Sequence, residues 1–378
     1  MTIEQLFFEL IRIAIGTQDT LSRAPSAKEW NALYDMAKKQ SLVGICFAGV
    51  QKLGEGRVET YETLETSWNL PKLLYLTWMG MAAKIQQRNE VMNASTKKAL
   101  ELFRKDGFEC SVLKGQAIAK LYGNLAGLRQ SGDIDLWVEG GRKKLYGYSH
   151  KTFGKLEGLT YHHIHFPVWD DVEIEAHTRP SFLSSPIRNK RLHKFCTANA
   201  TKEDTPSLAF NRVFILLHCY QHFTRRGVGM RQLLDYYFVL LHSANEVSGG
   251  SEVSKVSCQD YKQESMHWIT ALGMKRFAEA TMWVMKEVFG LDDNYLLCKP
   301  NEEYGRFLLD EVMQTGNMGH ADERVDHRQL QSAVGRYLFN LKRDIRIIKI
   351  CPHEALWEPL WGIYQFTWCK LTQLKYKR

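Results

Sequence analysis

Long apolar runs are missing from this 378-residue chain: Val213 to Leu217, five residues, is representative of its most hydrophobic stretches. Spanning a bilayer takes roughly 18 or more, so no membrane span is expected. Paired cysteines are missing too. The eight cysteines (Cys46, Cys110, Cys196, Cys219, Cys258, Cys298, Cys351, Cys369) stand far apart with no CxxC pair. That spacing excludes a zinc ribbon and fits reduced thiols in a core. The N-terminus carries Glu4 and Glu9 where a secretory signal carries Lys or Arg, and no small-residue cleavage site follows. An amphipathic opening helix and a cytoplasmic location are expected. No internal repeat is present, and 44% hydrophobic with 24% charged residues excludes disorder, collagen and coiled coil.

The charge in excess is basic, +8 in all, and it is unevenly spread: nine basic residues face three acidic ones between Arg336 and Arg378. Such a patch attracts nucleic acid, anionic lipid or nucleotide phosphates, and serves equally as a solvated helix face.

Apolar residues recur at three and four in KEWNALYDMAKKQSLVGI and again from Pro71 through LLYLTWMGMAAKIQQRNEVMNASTKKALELF. Both stretches predict helices, and Pro71 suits the first turn of the second. At Asp106-Gly107 the period changes. Phe108, Cys110 and Val112 alternate with Glu109, Ser111 and Leu113, which predicts a strand ended by Lys114-Gly115 and followed by a short helix, Ala117 to Tyr122. After a loop from Gly123 to Gly132, DIDLWV reads as a second strand. YHHIHFPVW and VEIEAHT, beyond the basic segment Gly140 to Lys155, have period-two character as well. From about Ser207 the helical period returns and persists to the end, interrupted by the Ser/Gly-rich stretch NEVSGGSEVSKVSCQDYKQES, which is expected to be a loop. The expectation is an α+β protein: residues 1–106 an N-terminal helical region, 107–180 a small strand-bearing core, 181–378 a larger C-terminal helical domain.

The residues that carry chemistry are in RQSGDIDLWV. In a strand, side chains two apart share a face, so Asp133 and Asp135 present two carboxylates together while Ile134 and Leu136 face the core. Like charges that close repel. A divalent cation removes the penalty, and Mg²⁺ typically takes one or two protein carboxylates and fills its shell from water and substrate phosphate. Two-metal phosphoryl chemistry normally wants a third carboxylate on a neighbouring strand. VEIEAHT supplies two candidates sharing a face, Glu173 and Glu175, with His177 beside them. Phosphates also need donors. Lys114-Gly115-Gln116 lies between a strand and a helix, where glycine allows close backbone approach, and Lys114 or Arg129 is placed to neutralise a triphosphate.

The run VLKGQAIAKLYGNLAGLRQSGDIDLWV, with VEIEAHTRPSF and HCYQHFTRRGVGMRQLLDYYFVL further on, resembles a bacterial family of nucleotidyltransferases within the polymerase-beta-like superfamily. The resemblance extends from about Val112 to the end, with the superfamily motifs confined to the middle portion. It implies a small mixed sheet flanked by helices, dependence on Mg²⁺ or Mn²⁺, and transfer of a nucleoside monophosphate from an NTP, ATP among the candidates, with release of pyrophosphate. Asp133 and Asp135 match the superfamily's paired metal-binding carboxylates; the third falls on Glu175, because relatives have an acid two residues before the histidine, with Glu173 the second choice. Lys114, Gly115, Gln116, Arg129, Ser131 and Gly132 are the implied nucleotide-binding residues. Arg231 and Asp235 join them through the resemblance, which sets their helix beside the nucleotide cleft; their spacing alone reads as an ordinary i,i+4 ion pair. The chain departs from the superfamily in having Lys114-Gly115-Gln116 where Gly-Ser is usual, at a longer distance from the carboxylates.

Other features have simpler readings. His162, His163 and His165 are expected on a half-exposed strand, although with His177 near they have the makings of a zinc site. His218 and His222 have HExxH spacing, but Cys219 occupies the place of the glutamate. TGNMGHADERVDH reads as a connecting loop. Lys342, Arg346 and Lys349 share a helix face, and Trp357, Trp361, Tyr364, Phe366 and Trp368 follow; together they suit either single-stranded nucleic acid or the packing of a terminal hairpin. The acceptor hydroxyl of a transferase reading is open between a sugar or small alcohol, a protein and an RNA end. The competing readings are a catalytically inactive binding or regulatory protein on the same fold, and a nucleic-acid-binding protein using the basic C-terminus.

Overall fold

The computed structural model describes residues 2–54, 65, 67–153, 160–166, 171–248, 258–319, 322, 324 and 332–376. Helices α1 (Ile3–Ile15), α2 (Ala27–Lys39) and α3 (Val43–Gly54) precede the long α4 (Lys72–Lys105). Thr2 and Ser26 each open their helix with a reciprocal capping box, to Gln5 and Glu29. Pro71 stands immediately before α4 rather than within its first turn. At 34 residues α4 is about 50 Å long, and that length lets it serve two cores. Leu74, Trp78, Ala82 and Ile85 from its first half belong to a large helical core, whereas Met92, Ala99, Leu100 and Phe103 from its second half belong to the core beneath the sheet.

The sheet follows. Strand β1 (Cys110–Leu113) leads into the short helix α5 (Gly115–Ala119) and 3₁₀ turns over Lys120–Leu128, then β2 (Ile134–Val138), α6 (Gly141–Phe153), β3 (His163–His165) and β4 (Ile174–His177). The expected loop after Gly123 is therefore helical as far as Leu128, with a kink where Gly123 takes φ 57°. Strand order is β1-β2-β4-β3, with β2 and β4 parallel and both outer pairs antiparallel, a mixed sheet. Alternation divides its faces. Cys110, Val112, Ile134, Leu136, Val138, Ile164, Ile174 and Ala176 pack with α4 and with Leu145 of α6. Leu113, Asp135, Glu175 and His165 form one cross-strand row of the opposite face, and Ser111, Trp137, His177 and His163 form the next. All of β1 and β2 is buried, so this polar face is covered over those two strands, while Glu175 and His165 on β4 and β3 keep part of their side chains exposed.

The cover is helical: α7 (Pro186–Ala198), α8 (Leu208–Arg225), α9 (Met230–Ser248), α10 (Cys258–Ala271), α11 (Lys275–Phe289), α12 (Glu302–Thr315), α13 (Ala333–Ile347) and α14 (Pro352–Tyr376). Much of the expected Ser/Gly-rich loop is helical, because α9 runs to Ser248 and α10 starts at Cys258; residues 249–257 lie outside the described residues. The first three helices dock onto this group. Arg12 Nε donates to the Val288 carbonyl at 2.9 Å, and Gln40 bridges the Val312 carbonyl and the Met230 N–H, each at 2.9 Å. Of the stretch Thr315 to His327, Asp322 and Arg324 are described beyond Gly319; Arg324 pairs with Asp322 and with Glu311, which ties the segment to α12. Among the described residues no helix is long and apolar enough to cross a membrane. Cys46, Cys110, Cys196, Cys219 and Cys351 are buried free thiols, as the sequence leads one to expect.

One close approach fixes the sheet's entry loop. A Cβ on Gly44 of α3 would collide with the carbonyl of Leu128, the residue before Arg129. Gly44→Ala is therefore expected to destabilise the fold by about 1–3 kcal/mol, readable as a lower urea midpoint at unchanged slope; a neutral result would mean that α3 and this loop separate freely.

Candidate active site

The polar face of the sheet opens into a cavity of about 450 Å³ lined also by α8 and α9. Asp133 stands just before β2 and Asp135 within it. Because β4 runs parallel to β2, Glu175 is the direct cross-strand partner of Asp135. Asp133, Asp135 and Glu175 all line the cavity, together with Lys114, Gly115, Arg129, Gly132, Arg231 and Asp235. Glu173 does not. It is exposed just ahead of β4, where its carbonyl accepts from the Ile134 N–H at 2.9 Å. Gln116 and Ser131 are turned toward a neighbouring cavity of about 330 Å³ between α4 and α5.

Lys114 has the least comfortable backbone in the site, with φ 52° and ψ −143°. A non-glycine residue held there costs about 1–3 kcal/mol. The turn aims its ammonium inward, 2.8 Å from Asp135 Oδ1, and His177 Nε2 donates to the same oxygen at 2.7 Å. Buried as it is, Asp135 would resist ionisation, but Lys114 and His177 hold its carboxyl well below the usual range. Asp133 moves the other way. Repulsion from Asp135, followed by burial, pushes its pKa up to about 6. Glu175 is also held down: burial opposes ionisation, and the hydrogen bond from His177 overcomes it. His177 accordingly binds its proton more tightly than usual despite burial, through Asp135 and Glu175.

Of the β3 histidines, His163 is buried, whereas His165 is half-exposed as the sequence suggests. Register sets His163 opposite His177 and His165 opposite Glu175, both on the cavity face. His163 Nδ1 is 3.3 Å and His165 Nδ1 3.5 Å from Glu175, and the two Nε2 atoms are 3.0 Å apart. Burial drives the pKa of His163 down to about 3 and that of His222 to about 3, and lowers His162 and His218 strongly. These rings are neutral and able to accept. The period-two reading that paired Asp133 with Asp135 also pairs His163 with His165; what it lacked was the knowledge that helices cover this face.

Arg129 has a structural partner. Its Nε and Nη2 donate to Asp235 Oδ1 and Oδ2 at 2.6 and 2.7 Å, and Tyr122 donates to Oδ1 at 2.7 Å. The pair is buried on both sides. The i,i+4 contact between Arg231 and Asp235 expected on one helix is thus superseded by a bidentate pair from β2's approach to α9. Arg231 instead donates through Nη1 to the Gln130 carbonyl at 3.1 Å, while its buried Nε has no hydrogen-bond partner. Burial and the nearby Arg129 lower its pKa. Arg231 is a cavity guanidinium with donor capacity left for a ligand.

The donor set fits a divalent cation. Ligand atoms of Asp135, Glu175 and His177 lie within 4.8 Å of one another, as do those of His163, His165 and Glu175. Asp133, with its pKa raised by a neighbouring carboxylate, shows a local demand for positive charge that Lys114 alone does not meet. Carboxylates from the two central strands thus face cationic residues across one cleft. The chain belongs to a family described as uncharacterised nucleotidyltransferase, whose family model matches residues 26–290. Neither a curated protein nor a solved structure matches it.

Two stability measurements follow from this geometry. Asp133 binds its proton more tightly folded than unfolded, so its contribution favours folding at low pH and is lost as pH rises through about 6. Asp133→Asn in chelator-treated protein should therefore raise stability near neutral pH, by up to about 3 kcal/mol, and change little at about pH 4; equal effects at both pH values would contradict the repulsion. Asp235→Asn should do the opposite, costing about 3–5 kcal/mol by leaving Arg129 buried and half-paired, measured by denaturant unfolding.

Proposed function

We propose that the chain is a metal-dependent nucleotidyltransferase of the polymerase-beta-like superfamily, moving a nucleoside monophosphate from an NTP to a hydroxyl acceptor with release of pyrophosphate. The observation that carries this reading is the pairing of Asp135 with Glu175 across parallel strands, with Asp133 beside them, on one wall of a cavity whose other walls carry Lys114 and Arg231. Asp133, Asp135 and Glu175 would hold Mg²⁺ or Mn²⁺. Such an ion supplies charge neutralisation for the triphosphate and makes the attacking hydroxyl more acidic.

The chain's own groups do the positioning. Lys114 moves from Asp135 to the phosphates once the carboxylate has other compensation, and Arg231 offers its unpartnered Nε to a phosphate oxygen. His177 orients Asp135 and Glu175 through one nitrogen. Glu175, held ionised, accepts the proton of the acceptor hydroxyl. Arg129 and Asp235 act at one remove, by locking the segment before β2 onto α9. Catalysis of this type is mostly orientation and electrostatics.

One observation favours a second reading, an inactive nucleotide-binding or regulatory protein: the Lys114 ammonium already occupies Asp135 Oδ1. Less supports a nucleic-acid-binding terminus. Arg346 is paired with Glu311 and Lys349 with Glu303, and Trp361 is buried against Tyr161 and Phe182.

The deciding experiment incubates the protein with each labelled NTP, Mg²⁺ or Mn²⁺ and cell extract. Label transfer and pyrophosphate release should fall at least ~100-fold in Asp135→Asn and in Glu175→Gln, with Glu173→Gln close to wild type. NTP binding that survives in both variants, with no transfer by the wild type, would select the inactive reading.

A further inference from the structure

The last two helices bury charge and expose much of their apolar surface. In α13 the buried positions include Arg343 and Asp344, while Val334, Tyr337, Leu338, Ile345 and, just past its end, Ile348 are exposed. In α14 Glu354 is buried and Glu358 half-buried, yet Leu356, Trp357, Leu360, Ile363 and Tyr364 are exposed. The inward charges converge on one residue. Arg225 pairs with Glu354 at 2.9 Å and with Glu358 at 3.4 Å, and its carbonyl accepts from Arg343. Both helices thus turn their acids inward, together with Ile347, Ala355 and Trp361, and Glu358 lines the cavity, while a second apolar stripe on each faces outward.

We propose that the outward face of the α13–α14 hairpin docks on an anionic membrane surface. The spacing 356, 357, 360, 363, 364 is a continuous stripe on a helix. From Leu356 to Tyr364 every exposed residue is uncharged. Charge is sorted along with hydropathy: Asp344, Glu354 and Glu358, the acids of the segment Arg336 to Arg378, face inward, whereas Lys342 is exposed beside the apolar side of α13, Lys349 is exposed although paired with Glu303, and the sequence adds Lys370, Lys375, Lys377 and Arg378 beyond the stripe. An apolar stripe with Trp and Tyr among aliphatic residues, in a segment whose own acids are turned inward and whose lysines are exposed, matches the interface of a bilayer bearing anionic headgroups. A second copy is a poor match, since it would bring two like-charged faces together. The hairpin lies on the surface and does not cross it, in keeping with the lack of a spanning helix among the described residues.

The test is co-sedimentation of the full chain with phosphatidylcholine vesicles, with and without phosphatidylglycerol. Wild type should pellet with the mixed vesicles, weakly or not at all with the neutral ones, and severalfold less at high salt. Leu360→Glu combined with Ile363→Glu should reduce vesicle binding at least ~tenfold while leaving the melting temperature and nucleotide binding unchanged, because both positions are exposed. Lys342→Gln, on the polar border, should weaken binding less. Failure of wild type to pellet with the mixed vesicles overturns the proposal, as does equal binding by the double variant. A dimer in light scattering that the double variant dissolves would assign the face to a second copy instead.

Discussion

Asp135 is 4% exposed in the middle of a sheet, and a carboxylate in that position must have positive charge within hydrogen-bond reach. Most of the site can be read as the answer to that requirement. Lys114 accepts a strained backbone to deliver an ammonium, His177 keeps its proton to deliver a second donor, and Asp133 gives up part of its acidity because its neighbour has taken the available cations. The three pKa directions, down for Asp135, up for Asp133 and up for His177, describe one coupled cluster rather than separate residues.

The scaffold that holds this cluster is built from two longer-range devices. Parallel pairing of β2 with β4 brings Glu175 to Asp135 although they are far apart in sequence. The Arg129–Asp235 pair, reinforced by Tyr122 and by Asn89 donating to the Arg129 carbonyl at 2.8 Å, anchors the approach to β2 on α9 and α4. A one-residue slip of β2 would exchange Asp135 for Leu136 on the cavity face. Apolar packing of Ile134, Leu136 and Val138 beneath the sheet therefore sets the site's chemistry as firmly as the charges do.

What could be read from the sequence was what depends on local period. Alternation located the strands, the α+β class and the shared face of Asp133 and Asp135, and recurrence at three and four located the helices. Contacts between distant segments were out of reach. Nothing near Arg129 announces Asp235, and the i,i+4 spacing of Arg231 with Asp235 pointed to a different partner. Of the β3 histidines expected to be half-exposed, His165 is, and His163 is buried opposite His177. Glu173 and Glu175 were equivalent by alternation, and separate because pairing with β2 begins at Ile174. In α13 the helical period was plain but its sense was not: a stripe of Leu and Ile is ordinarily assigned to the core, whereas here Arg343 and Asp344, paired with each other, are buried beside Ile347 while Leu338 and Ile345 are exposed.

The Lys114 ammonium on Asp135 is compatible with turnover if the lysine is a counter-ion that gives way. Its strained φ and ψ put about 1–3 kcal/mol of backbone energy into the turn that aims the ammonium at Asp135, and release from Asp135 loses one ion pair. A divalent cation among three carboxylates offers more charge than one ammonium and would also lower the repulsion that keeps Asp133 near a pKa of about 6. Both contributions favour the exchange, and the displaced lysine is left in the cavity that also contains Arg231, where a polyphosphate would need it. On the proposed function the same residue would neutralise Asp135 before substrate binds and serve the polyphosphate afterwards.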